Sequence, residues 1–312
     1  MKRTTMRMLA VSALALVVLI GALALLSRLM VPKNNQTSFG QIDATAMGVL
    51  GEPKNTLDVL FMGDSEVYTS IDPLSMWREH GFTSYDVSTS AQPLPYTRSL
   101  LTRALERQTP RLVVLETNML FRKVTMEDAL WRQVAEVFPV LEYHNRWKSL
   151  KPIDICAEPK ATWTDPNKGF HPRDSVVPSS VKNHMKPTDK AAEIPRLNQF
   201  YLDRIIALCQ ERDIPVLLLS TPSTINWNAK RHNAVENYLK AHTEFTNVAY
   251  LDLNLEEGLD IDWALDTCDG GDHLNERGAK KVTAFLGAWL AKQYNLADHH
   301  GSSDQRAWSV GA

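Results

Sequence analysis

A chain of 312 residues, 44% hydrophobic and 22% charged, is long enough for one large domain or two small ones and too apolar for a disordered polymer. The formal net charge is −2, and because Lys2, Arg3 and Arg7 open the chain, everything after them is more acidic still. That balance excludes a nucleic-acid face, which needs a basic stripe.

Behind those basic residues, 8–26 read MLAVSALALVVLIGALALL without a charge. A run of this length spans a bilayer as a helix. A signal peptide has a shorter apolar core and a small-x-small cleavage site, and Ser27-Arg28-Leu29-Met30-Val31-Pro32 offers none. Residues 1–31 are therefore expected to be a cytoplasmic start and an uncleaved single-pass anchor in the cell membrane, with the rest of the chain outside the cytoplasm. Residues 32–54 are polar and punctuated by Gly and Pro, and read as a tether to the bilayer-held helix.

From 55 to 296, short apolar runs alternate with helical spacing. Strands are expected at 58–62, 84–87, 112–116, 216–220 and 249–253, and helices at 95–108, 126–138, 196–212, 228–242 and 276–294. Such alternation predicts an α/β fold, a three-layer α/β/α sandwich with a mostly parallel sheet. In the last helix Val282, Phe285, Leu286, Trp289 and Leu290 share one stripe, which is core packing. The stretch from about 150 to 193 is rich in Pro, Lys and Asp with little periodicity, and is expected to be an insertion over the sheet. The end, 297–312, reads as a disordered tail. Cys209 falls on an apolar helix face, whereas Cys156 and Cys268 lie in loop-like sequence and could pair in an exported domain.

Two distant segments carry chemistry. In DVLFMGDSEVY, 58–68, an apolar run breaks at Gly63-Asp64-Ser65, which presents Ser65 at the carboxyl end of a strand. Downstream, DGGDHLNERG, 269–278, sets Asp269 and Asp272 beside His273 just before a helix beginning near Asn275. A serine at a strand tip and a late acid–histidine pair are the parts of an activated nucleophile, with the carboxylate fixing the imidazole tautomer. Asp269 is favoured over Asp272 because adjacent side chains in an extended loop point apart, while Gly270-Gly271 can fold the loop back; both stay candidates. The backbone N–H of Ser65 is one candidate oxyanion donor. Tyr143-His144-Asn145-Arg146-Trp147 groups rings and a guanidinium that either stack on a sugar or anchor a helix end with Trp147 buried. His232 and His300 read as surface residues. Neither a His-Glu-x-x-His spacing nor a phosphate-cradling glycine loop is present, so no metal or cofactor is implied.

Gly-Asp-Ser after a strand, with an acid ahead of His-Leu-Asn and a C-terminal helix, resembles the SGNH (GDSL-type) hydrolase superfamily over residues 57–296. Within it the chain is most similar to the membrane-anchored, cell-envelope branch, which includes alginate O-acetylation proteins and the D-alanine transfer protein of teichoic acid modification. The resemblance implies a flavodoxin-like fold, a serine nucleophile at Ser65, its base at His273, and a side-chain oxyanion donor at Asn118. In that superfamily the acid lies three residues before the histidine, where this chain has Gly270, and a second-block glycine is missing near Ser90-Ala91-Gln92. The function implied is an extracytoplasmic serine esterase or acyltransferase on acyl, expected acetyl, esters of a cell-envelope polysaccharide, with a membrane-bound O-acyltransferase as a possible partner. Two alternatives stand: a catalytically idle module that binds glycan or a partner, and a protein that assists D-alanyl transfer.

Overall fold

The computed structural model describes residues 3–301 and Trp308. Helix α1 (Arg3–Met30) leads into α2 (Ala44–Met47), and five strands follow: β1 (Val59–Gly63), β2 (Ser84–Ser88), β3 (Leu112–Glu116), β4 (Val216–Ser220) and β5 (Val248–Asp252). Between and after them come α3 (Ser65–Ser70), α4 (Pro73–His80), α5 (Leu94–Leu105), α6 (Met126–Val137), α7 (Arg196–Gln210), α8 (Ala229–Ala241) and α9 (Glu276–Gln293). The strands pair in the order β2-β1-β3-β4-β5, every neighbour parallel. This is the flavodoxin-like order, in which the order of succession reverses between β1 and β3 and leaves a crevice outside their carboxyl ends.

Alternation along the strands explains the three layers. Leu60, Met62, Val113, Leu115, Val216 and Leu218 face a core shared with α5, α7 and α8. Their neighbours Val59, Phe61, Leu112, Val114, Leu217 and Leu219 face a second core closed by α4 and α9. With both faces covered, near-continuous apolar strands are what a parallel sheet requires. Short helices are set by their ends: Asp72 accepts from Leu74 N and Ser75 N ahead of Pro73, and Gly81 closes α4 at φ 73°. Thr125 and Asp128 form a capping box on α6, and Asn228 and Asn275 cap α8 and α9.

Expected and observed elements differ mainly at their ends and in the short helices α2, α3 and α4, which carry too few turns to show periodicity. In α9, Val282, Leu286 and Leu290 are buried, with Phe285 and Trp289 packed beside them. Segment 32–54 departs from the tether expectation: Ala46, Met47 and Val49 sit in the first core, and Asn35 donates to the Met47 and Trp163 carbonyls. Its polar composition marks groups bonded to the domain, not groups left in water. The disorder expected at 297–312 falls in large part outside the described residues; of the rest, His299 pairs with Asp58 and Trp308 is buried against Trp77.

Helix α1 is long and apolar enough to cross a membrane, with a mean hydropathy of 2.9 over its most apolar 18 residues. Its last turns are fixed to the domain. Met30, Val140 and Tyr143 form a small apolar cluster with Leu23, Phe138 and Leu141, and Ser27 Oγ accepts from Val140 N. Arg146, which the sequence offered as a sugar platform or an anchor, is the anchor: its Nη1 donates to the Met30 and Val31 carbonyls at 2.8 Å and its Nη2 pairs with Asp154 at 2.9 Å. These are the carbonyls a helix end leaves unsatisfied.

Candidate active site

Ser65 stands at the first position of α3, directly past the β1 tip, because Gly63 lets the chain turn there. A Cβ on Gly63 would meet Val67 Cγ2 at 2.2 Å and Glu116 Cβ at 2.8 Å, so only glycine brings α3 this close to β3. Asp64 caps α3, accepting from Glu66 N. The downstream loop is equally determined. Thr267 and Leu274 pair as an antiparallel bridge, with Gly270 and Gly271 at φ 87° and 100° between them. The Gly271 carbonyl is held by Thr224 N at 2.8 Å and Ser223 Oγ at 3.1 Å.

That fold-back joins Asp269 and His273 to Ser65, which lies 208 positions before the histidine. His273 Nε2 lies 2.7 Å from Ser65 Oγ, and His273 Nδ1 lies 2.5 Å from Asp269 Oδ2. Asp269 Oδ1 also accepts from His273 N at 2.8 Å, so one carboxylate fixes both ring and backbone. Asp272 stands off, 3.8 Å from Nδ1, and turns instead to Asn226 Nδ2. The glycine pair folds the loop back so that Asp269, four residues before His273, reaches its ring.

Asn118 is near the triad without bonding to it. Its Oδ1 accepts from Arg231 Nη1 at 2.8 Å, and its Nδ2 faces Asp64 Oδ2 at 3.4 Å. Ala91 takes φ 54°, the left-handed conformation glycine favours. His232, expected at the surface, is half-buried and its Nδ1 pairs with Asp252 at 2.8 Å; His300 is exposed against Trp77. All three cysteines are free, so Cys156 and Cys268 are not bridged; burial, aided by Asp269, pushes the Cys268 thiol up to about 11.

Beneath the triad lies an acidic layer that sequence reading missed. Asp64, fully buried, pairs with Arg122 Nη2 at 2.5 Å. Glu66 and Glu116 are buried beside it, and burial together with the Asp64 charge holds both well above the usual carboxylate range. Asn226 Nδ2 bridges Glu66 Oε1 and Asp272 Oδ1, and burial also raises Asp272. In sequence, Asp64 and Glu66 flank Ser65, whereas Asn226 arrives from the loop after β4 and Arg231 from α8. Glu66, Asp272 and His273 bring one donor atom each within 4.8 Å. Both imidazole nitrogens, however, already face Ser65 and Asp269, which ties the group to the triad.

A cavity of about 330 Å³ opens beside His273 and Asp269, walled by Tyr68 and Thr69 of α3 and by Arg173 and Ser175 of the insertion. The insertion runs as a strap. Its backbone bonds to Tyr68 O through His171 N, to Thr267 O through Val177 N and to Gly270 N through the Val177 carbonyl. It thus grips both ends of the segment that carries Asp269.

No protein-family model matches the sequence, and no curated protein matches it. Among solved structures the chain is similar to a Bacteroides fragilis protein assigned as an acylhydrolase, at 12% identity and TM-score 0.42, covering 81% of this chain and 96% of that one. It is also similar to the Clostridium thermocellum family 3 carbohydrate esterase, at 13% identity and TM-score 0.38, covering 77% and 98%. A third likeness is to a GDSL-like lipase of Bacteroides thetaiotaomicron, at 13% identity and TM-score 0.33, covering 75% and 87%.

Proposed function

We propose that this chain is a membrane-anchored serine ester hydrolase or O-acyltransferase of SGNH type, with its catalytic domain outside the cytoplasm and acyl esters of a cell-envelope polysaccharide as substrates. The observation that carries the reading is the unbroken relay Asp269–His273–Ser65 at the carboxyl end of β1. Ser65 Oγ attacks the ester carbonyl and its proton passes to His273 Nε2, while Asp269 stabilises the imidazolium. The carbonyl oxygen, now negative, is met by the Ser65 N–H. His273 then returns the proton to the leaving sugar oxygen, giving an acyl-serine and a free hydroxyl. Water or a second sugar hydroxyl, deprotonated by His273, attacks the acyl-serine and releases Ser65.

Anchorage is supported by the junction. A helix destined for removal has no need of buried contacts with the domain, yet Ser27, Met30 and the carbonyls beyond them are held by Val140 and Arg146. An idle binding module is favoured by one feature, the engagement of Asn118 with Arg231 and Asp64, which draws that amide away from an oxyanion. A fluorophosphonate separates the two, since it reacts with activated serines only. The wild type is expected to be labelled and Ser65→Ala not. Equal labelling would move the nucleophile elsewhere, and no labelling of either would leave the idle module standing.

A further inference from the structure

The segment that grips the end of α1 also carries a group of bare apolar side chains. Arg146 is buried while its neighbour Trp147 is 64% exposed; Asp154 is buried while Ile153 and Ile155 on either side are 60% and 74% exposed. Val137, at the end of α6 and one residue before the Phe138 that packs on α1, is 68% exposed. Lys148, Lys151 and Arg28 stand exposed among them, with Lys148 Nζ 5.8 Å from the Trp147 ring. Soluble surfaces leave single apolar residues bare, but four of them on the segments packed against the end of α1, interspersed with lysines, mark an interaction face.

Its height along α1 identifies the occupant. Leu23 and Met30 both touch the 138–143 segment, and at 1.5 Å per residue they lie about 10 Å apart along the helix axis. About 20 residues cross the hydrocarbon layer, and the uncharged run ends at Leu26, so Leu23 is inside the apolar layer or at its edge. The domain surface that covers Leu23 is therefore level with the lipid boundary. Arg146, bonded to three successive carbonyls of the helix end, leaves little freedom for the domain to swing clear.

We infer that the Trp147, Ile153 and Ile155 surface is a monotopic docking face, seated in the lipid headgroup layer around α1 and holding the domain at a fixed attitude on the bilayer. An aromatic with one polar edge, short apolar residues and snorkelling lysines are what such an interface takes. The inference rests on α1 spanning the membrane, as the proposed function has it.

The test uses the full chain in phospholipid nanodiscs, in a Cys156→Ser, Cys209→Ala, Cys268→Ser background. Single nitroxides are placed through Trp147→Cys, Ile155→Cys, Leu16→Cys and the exposed control Glu257→Cys, and each sample is qualified by a wild-type-like thermal melt. Collisions with oxygen, concentrated in lipid, are compared with those of a water-soluble nickel chelate. The expected result is oxygen-favoured collision at 147 and 155, shallower than at 16, with 257 favouring nickel. Nickel-favoured collision at 147 and 155 with 16 still in lipid overturns the docking face while leaving the span intact. Nickel-favoured collision at 16 as well overturns the span itself. Exclusion of both reagents at 147 and 155 overturns lipid as the occupant in favour of a second copy of the chain.

Discussion

Two arginine–aspartate pairs hold the two ends of this molecule where something happens, and they neutralise charge in different ways. At the junction, Arg146 and Asp154 match one to one, and the spare guanidinium hydrogens go to the α1 carbonyls. Burial works against the Asp154 charge, but the Lys151 N–H and Arg146 outweigh it and hold the carboxyl below its ordinary range. Under the triad, Arg122 meets Asp64 but two further buried carboxyls crowd the same space, and burial with the Asp64 charge pushes Glu66 and Glu116 toward protonation instead. Charge is balanced by a cation in one region and by protonation in the other. The junction should therefore be indifferent to pH around neutrality and the site floor should not.

The sharpest way to break the catalytic half of this comparison is Ser65→Ala. If the relay works as proposed, turnover of acyl esters falls by on the order of 10⁶, as for a serine removed from a working triad; a loss under tenfold in a purified-ester assay would remove Ser65 from the chemistry. Next in size is the contrast between neighbouring acids. Asp269→Asn should cost about 10⁴ in turnover, the scale for losing the tautomer-fixing carboxylate. Asp272→Asn should cost less than about tenfold, because Asp272 does not reach Nδ1 within hydrogen-bond distance. Equal losses would mean that the two carboxylates act as one unit.

That contrast also shows what the sequence could say. Ser65, His273 and the strands that present them were legible because each depends on local signals: an apolar run of four, a breaking glycine, an asparagine cap. Asp269 was legible for the same reason, since Gly270 and Gly271 announce a fold-back. The acidic floor was not, because Glu116 ends β3 while Asn226 and Arg231 come from the loop and helix after β4, and only the pairing of β1, β3 and β4 brings them together under Ser65. The junction was hidden by the same cause: segment 32–54 reads as polar tether until Asn35 is seen bonded to Trp163, 128 residues away.

At the junction itself, Arg146→Ala leaves Asp154 buried without its partner and the α1 carbonyls without theirs. Breaking a buried pair by removing one member costs about 3–5 kcal/mol. A denaturant midpoint for the full chain in lipid should fall accordingly, whereas the fluorophosphonate labelling rate of the folded protein should hold. A midpoint unchanged within error would show the pair to be ornamental to stability.

The smallest effect probes the protonated floor. Glu116 accepts from Asn118 N at 2.7 Å through Oε1, and its Oε2 is buried without a partner. Glutamine keeps the accepting oxygen and replaces the retained O–H by an equally unpartnered N–H, so Glu116→Gln mimics the protonated acid. Because the folded state holds this proton more tightly than the unfolded chain, the wild type gains nothing from the difference below the ordinary carboxylate range. It then loses stability as pH rises through the interval up to the raised folded value. The substitution should abolish that loss. Wild type and variant should unfold at matching urea concentrations near pH 4, and the variant should be the more stable near pH 8, by ~1.4 kcal/mol for each unit of upward displacement. Glu66 is the poorer choice for this measurement, since its carboxyl bonds to the Asn226 amide that also holds Asp272, and a change there would disturb the loop carrying His273. If Glu116→Gln tracks the wild type at both pH values, Glu116 is ionised in the folded protein. Arg231, whose guanidinium burial pushes down, would then be the cation that balances it, and the two ends of the molecule would be neutralised in the same way after all.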